Sequence, residues 1–209
     1  MKFKTKSYLP ISLFFFILFT ILSFLVKKGS LENFDFNTTV ILQNHISRKL
    51  DLPFSYFSLL GSFEITTAIV ILIFMFFYLK KKKSWWSLGV FFVGIGVEVV
   101  GKIFLPHPSP PFFLLRYNLG IIFPSFYVHT GYSYPSGHMT RFTFLILISI
   151  FIILKSRLAD FKKYFSLFLL TVFWILMFVS RIYLGEHWFS DVTGGALLGM
   201  SFGVLSIAF

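Results

Sequence analysis

Of the 209 residues, 56% are hydrophobic, 32 are Phe and only 13% are charged, whereas a soluble domain of this size needs a far more polar surface. With a mean hydropathy of +0.83 and apolar residues gathered in blocks of membrane-spanning length, the composition excludes a soluble globular protein and indicates an all-α, polytopic membrane protein. The net charge of +11 does not indicate nucleic acid, because Lys and Arg sit at block ends rather than in one basic stripe; the absence of Cys excludes disulfides and thiolate chemistry.

Six apolar segments are predicted, at 11–26, 62–79, 85–105, 141–155, 164–184 and 188–209. A helix rises 1.5 Å per residue, so ~20 residues cross a ~30 Å hydrocarbon core. The first segment follows Lys2, Lys4 and Lys6 and ends at Lys27-Lys28-Gly29 without a small-x-small cleavage site, so it reads as a retained span rather than a signal peptide. The stretch 34–50 is too polar to span. Its apolar residues Phe36, Val40, Ile41, Leu42, Ile46 and Leu50 recur with a near-helical period, which suits either an amphipathic helix in the membrane interface or a helix packed on the bundle's outer end. The fourth segment is short at its clean core, Phe142 to Leu154.

The run Lys80 to Lys83 between the second and third segments is a strong cytoplasmic signal. With the N-terminus in the cytoplasm, Lys155, Arg157, Lys162 and Lys163 also fall inside; Lys27, Lys28, Arg48, Lys49, Lys102, Arg116, Arg141 and Arg181 fall outside. The protein is expected in the plasma membrane. Six of the eight prolines lie between Pro106 and Thr140, and an irregular loop of that length is often functional. Neither an internal repeat nor a second domain is evident, so residues 1–209 read as one membrane domain.

Chemistry is concentrated in two stretches. His187 and Asp191, four residues apart, would share a helix face. A carboxylate taking the proton of one imidazole nitrogen leaves the other free to attack; a purely structural pairing is the other reading. Arg181 lies six residues before His187 with Gly185 between, so a turn there lets guanidinium and imidazole converge on one anion. Pro135-Ser136-Gly137-His138 precedes the fourth segment. Its glycine permits close backbone approach, and the following helix start offers unpaired N–H groups to an anion. Lys102 has Glu98 four residues earlier, as an ion-pair partner or as neighbour to a phosphate-binding lysine. Glu64 reads as a hydrogen-bonded bundle residue rather than a proton relay.

In these residues the chain resembles the type 2 phosphatidic acid phosphatase superfamily of membrane lipid phosphatases. That family carries Lys-x6-Arg-Pro, Pro-Ser-Gly-His and Ser-Arg-x5-His-x3-Asp. The second stands here as Pro135 to His138 and the third as Ser180-Arg181, His187 and Asp191, with its spacing intact. The resemblance implies a six-helix bundle with an extracytoplasmic site, His187 as nucleophile, Asp191 as its orienting partner and His138 as general acid. Lys102, Ser136, Gly137 and Arg181 would cradle phosphate, with no metal and no cofactor. The first motif departs from the pattern: after Lys102, the expected arginine is Ser109, followed by Pro110. Arg141, then Arg116 and His107, are the candidates to replace it.

The expected function is hydrolysis of a membrane lipid phosphate or diphosphate through a phosphohistidine. An isoprenyl diphosphate, phosphatidic acid or phosphatidylglycerophosphate would each fit, with the bilayer as partner and no nucleic acid. A lipid-to-lipid phosphotransferase and a non-catalytic lipid-phosphate binder are the alternatives, the latter motivated by Ser109. A transporter is disfavoured, since no pair of Gly/Pro-broken segments recurs in the two halves.

Overall fold

The structure, a computed structural model, describes residues 8–79, 85–117, 119–120, 123–124 and 131–208. Lys2, Lys4, Lys6 and the run Lys80 to Lys83 lie outside them. Among the described residues all regular structure is helical: α1 (Tyr8–Lys27), α2 (Glu32–His45), α3 (Asp51–Ser58), α4 (Phe63–Leu79), α5 (Trp85–Phe104), α6 (Gly137–Lys155), α7 (Asp160–Tyr183) and α8 (Phe189–Ser206). Short 3-10 turns at Arg48–Leu50 and Leu59–Gly61 flank α3, and a third lies at Phe112–Leu114.

Four of these helices, α1, α5, α6 and α7, are long and apolar enough to cross a membrane. A fifth span arises if the segment Arg48–Gly61 and α4, bent by 46°, count as one. Outward faces carry exposed Phe14, Ile21, Met75, Phe92, Phe165 and Phe168, the surface that hydrocarbon rather than water accepts. The inward faces carry the few polar contacts. Ser12 Oγ donates to Ser201 O at 2.9 Å, Trp174 Nε1 to Thr143 Oγ1 at 2.9 Å, and Ser87 Oγ to Ser206 O at 2.7 Å.

Helix α8 sits at the centre, packed against α6, α1 and α5. Gly194, Gly195, Gly199 and Gly203 let neighbouring side chains and backbone approach its axis, as small residues do between membrane helices. One part of the core joins Phe19, Val70, Phe91, Phe144, Leu198 and Phe202 across five helices. A second joins Met139, Phe142, Met177, Ile182 and Val192. Consecutive long helices alternate in direction. The C-terminal ends of α5 and α7 and the N-terminal ends of α6 and α8 therefore meet at one end of the bundle.

Helix α6 begins at Gly137, outward of Arg141, and its first turns hold Thr140, Arg141 and Thr143 buried. One sequence expectation changes. The polar stretch 34–50 is a helix only to His45, and the unexpected α3 follows it. Helix α2 packs on α7 and α8 with Asp35 buried.

Candidate active site

The site is built where four helix ends converge. The end of α5 supplies Glu98 and Lys102, the start of α6 supplies Gly137, His138 and Arg141, the end of α7 supplies Ser180 and Arg181, and the first turn of α8 supplies Asp191. Gly185 turns the chain between α7 and α8 with φ +70°, and a Cβ there would lie 2.2 Å from Leu114 O. Only glycine fits such a left-handed position against another backbone. Beyond the turn His187 N–H reaches back to Arg181 O at 3.3 Å, so the imidazole returns to the arginine it follows by six residues.

His187 and Asp191 meet for a reason other than a shared helix face. His187 precedes α8. Asp191 is the third residue of that helix, and its Oδ2 caps the start by accepting Trp188 N–H at 3.0 Å. The same oxygen lies 3.3 Å from His187 Nδ1, so a proton held there leaves Nε2 with its lone pair. Burial lowers the His187 pKa, outweighing the Asp191 hydrogen bond and charge, and Arg181 and Lys102 push it the same way. Ser136 N–H donates to Asp191 O at 2.9 Å, joining the Pro-Ser-Gly-His stretch to α8.

Arg181 is 1% exposed. Its Nη2 pairs with Glu186 Oε2, while Nε and Nη1 have no hydrogen-bond partner among the described residues; nor has the buried Ser136 Oγ. Buried donors are almost always satisfied, because leaving one unpaired costs about 1–3 kcal/mol. Three such donors at the motif residues are what an anion-binding cradle requires. His138 stands in the first turn of α6, three residues before Arg141. A Cβ on Gly137 would fall 1.9 Å from Glu98 Oε1, so this glycine makes room for the carboxylate.

Glu98 is shared. Arg141 Nη1 donates to both of its oxygens, at 2.8 and 3.0 Å, and Lys102 Nζ stands farther off at 3.7 Å. His107 is committed as well: its Nδ1 lies 2.7 Å from Asp191 Oδ1 and its Nε2 3.6 Å from Asp35 Oδ2. Asp35 in turn accepts Ser190 N–H at 2.8 Å and Ser190 Oγ–H at 2.7 Å.

The family model for the PAP2 superfamily matches residues 83–209. The chain belongs to that superfamily. A dihydrosphingosine 1-phosphate phosphatase of Schizosaccharomyces pombe is 27% identical over 161 residues, which is 74% of this chain and 37% of that enzyme; the chain thus spans well under half of its length. Among solved structures, the transmembrane PAP2-type phosphatidylglycerolphosphate phosphatase of Bacillus subtilis is similar over 94% of both chains, with TM-score 0.75 and 22% identity. LpxE of Aquifex aeolicus is similar over 84% of this chain and 96% of its own, with TM-score 0.61 and 24% identity. Both likenesses are of fold, and with the apolar helices they make this PAP2 protein an integral membrane protein.

The residues considered as substitutes for the PAP2 arginine missing at Ser109 each have partners, though Arg141 Nε and Arg116 Nη1 have none among the described residues. Arg141 pairs with Glu98 through the geometry above. Arg116 donates Nη2 to Gln43 O at 3.0 Å and lies over the Tyr183 ring at 5.0 Å, fastening the loop between α5 and α6 to α2 and α7. His107 is bound to Asp191. Ser109 itself is exposed on a cleft of about 460 Å³ with Glu32, Asp35, Phe36, His107 and Trp188. The sequence reading passed over Asp35. An acid in a stretch beside a membrane span calls for a partner, and that was the available signal.

Proposed function

We propose that this PAP2 protein is a lipid phosphatase that moves a phosphoryl group from a membrane lipid onto His187 and then to water. The observation that carries the reading is the set of buried donors on Arg181 and Ser136 without partners among the described residues, beside an imidazole whose Nδ1 faces Asp191. In the first step His187 Nε2 forms an N–P bond as the P–O bond to the lipid breaks, and the leaving oxygen takes a proton from His138. Asp191 opposes the positive charge that develops on His187. In the second step water attacks phosphorus and gives its proton to His138, while the N–P electrons return to Nε2 and phosphate leaves. Arg181, Ser136, Lys102 and the N–H groups at the start of α6 stabilise the transferring group throughout.

Because Arg141 holds Glu98 more closely than Lys102 does, the Lys102 ammonium is the less committed of the two cations and can turn to phosphate. The segment 48–61 with α4, together with α8, would complete six spans, with the N-terminus cytoplasmic and the site on the outer face. Substrates of the class named for the relatives, sphingoid or glycerolipid phosphates, fit a site at a bundle end where the chain stays among helices.

A phosphate-release assay of purified protein against a panel of lipid mono- and diphosphates, without added metal, tests the reading. Release from at least one lipid is expected. Binding without release would favour the non-catalytic alternative, and label transferred to a second lipid would favour a phosphotransferase. The chain has no cysteine, so Ser109→Cys and Ala159→Cys report topology cleanly. Membrane-impermeant maleimide applied from outside should label only Ser109→Cys; the reverse pattern inverts the orientation.

A further inference from the structure

We propose that His107 is a positioning residue for the nucleophile, holding Asp191, and through it His187, in register with helix α2 by way of Asp35. This rests on the assignment of His187 above.

The carboxylate of Asp191 has two oxygens and two imidazoles. Oδ2 serves His187 at 3.3 Å and Trp188 N–H at 3.0 Å; Oδ1 takes His107 at the shorter 2.7 Å. A helix-capping carboxylate held through one oxygen can still rotate about its last torsion. Pinning Oδ1 removes that freedom and keeps Oδ2 on His187 Nδ1.

His107 is a rigid mount for this purpose. Pro106 and Pro108 flank it and restrict its backbone. Its carbonyl accepts Ser133 N–H at 2.9 Å and Ser133 Oγ–H at 3.0 Å, and the Tyr134 ring stands edge-on at 6.4 Å. The far nitrogen faces Asp35, which is tied to Ser190, the neighbour of Asp191 in sequence. The chain of contacts therefore closes on itself, running His187, Asp191, His107, Asp35 and Ser190. Helix α2 contributes to it although it carries none of the family's motifs.

Burial raises the Asp35 pKa, but both of its oxygens accept hydrogen bonds from Ser190, which favour the ionised carboxylate. Facing His107 are Asp191 from α8, and Asp35 and Glu32 from α2. Burial alone would lower the His107 pKa, but the Asp191 hydrogen bond and these three charges outweigh it, leaving the net shift upward. The protonated ring donates from both nitrogens, to Asp191 and toward Asp35. When it loses its proton, one of the two links goes.

The test is phosphate release by purified full-length protein as a function of pH. His107→Ala should lower kcat by roughly ten- to a hundredfold, the effect of a lost hydrogen bond to a charged group, with KM changed less than about threefold. His107→Asn places an amide N–H where Nδ1 was, and should recover most of that loss. Asp35→Asn removes one charge from beside His107, so the alkaline fall in kcat should move to lower pH; a packing role alone would not shift it. The inference is overturned by a wild-type enzyme that works while His107→Ala keeps kcat within about twofold, by a loss confined to KM, or by an unmoved alkaline limb in Asp35→Asn. A wild-type protein that releases no phosphate from any lipid would overturn the phosphatase reading itself.

Discussion

Arg181 and Glu186 pair across the turn that carries His187, so the guanidinium proposed to grip phosphate already gives Nη2 to a carboxylate. Its Nε and Nη1 remain without partners among the described residues. An anion entering beside Arg181 therefore meets the Glu186 charge. Glu186→Gln keeps the shape and removes the repulsion. It should tighten inhibition by vanadate or phosphate roughly three- to tenfold, in keeping with one charge at close range in a partly shielded site. Unchanged or weaker inhibition would show that Glu186 does not act on the anion.

Glu98 is buried between Arg141 and Lys102, and the tighter bonds come from Arg141. Removing one member of a buried ion pair costs about 3–5 kcal/mol, chiefly because the other is left charged and unpaired, whereas removing both is far milder. Arg141→Gln should therefore lower the melting temperature in detergent more than the double substitution Glu98→Gln with Arg141→Gln. Equal losses would show that the pair does not behave as a unit.

The two stretches proposed to bear the chemistry were legible because their spacing is local and fixed: Ser136 to His138 sit at one helix start, and Ser180 to Asp191 bracket one turn. The glycine at 185 signalled that turn without the structure. Partnerships across long separations were not legible. His107 and Asp191 are 84 positions apart and Asp35 and Ser190 are 155, and no periodicity links them. Arg141 lies one helical turn after His138, but its ion-pair partner Glu98 is 43 positions away on α5 and was not legible as such. Helical segments were visible from apolar blocks, while α3 was hidden by the polar residues of its stretch.

For His187, burial comes first among the causes and lowers the pKa, against the raising effect of Asp191. The ring is thus neutral at neutral pH and gains a proton only as the pH falls below the ordinary imidazole value of about 6.5. On this basis kcat/KM should stay flat from neutral into mildly acid pH and fall at an inflection below that value. Asp191→Asn removes the raising influence, so the acid limb should move to still lower pH while the rate drops. An acid limb above about 6.5 in the wild type would contradict a neutral, buried nucleophile.

The central claim is that the phosphoryl group rests on His187. The most direct measurement is a rapid quench of turning-over protein with lipid labelled in its phosphate, followed by mapping of the labelled peptide. The account predicts label on His187, stable in alkali and lost in acid, with neither label nor phosphate release in His187→Ala protein. Phosphate release by His187→Ala at the wild-type rate, or label on another residue, would contradict it.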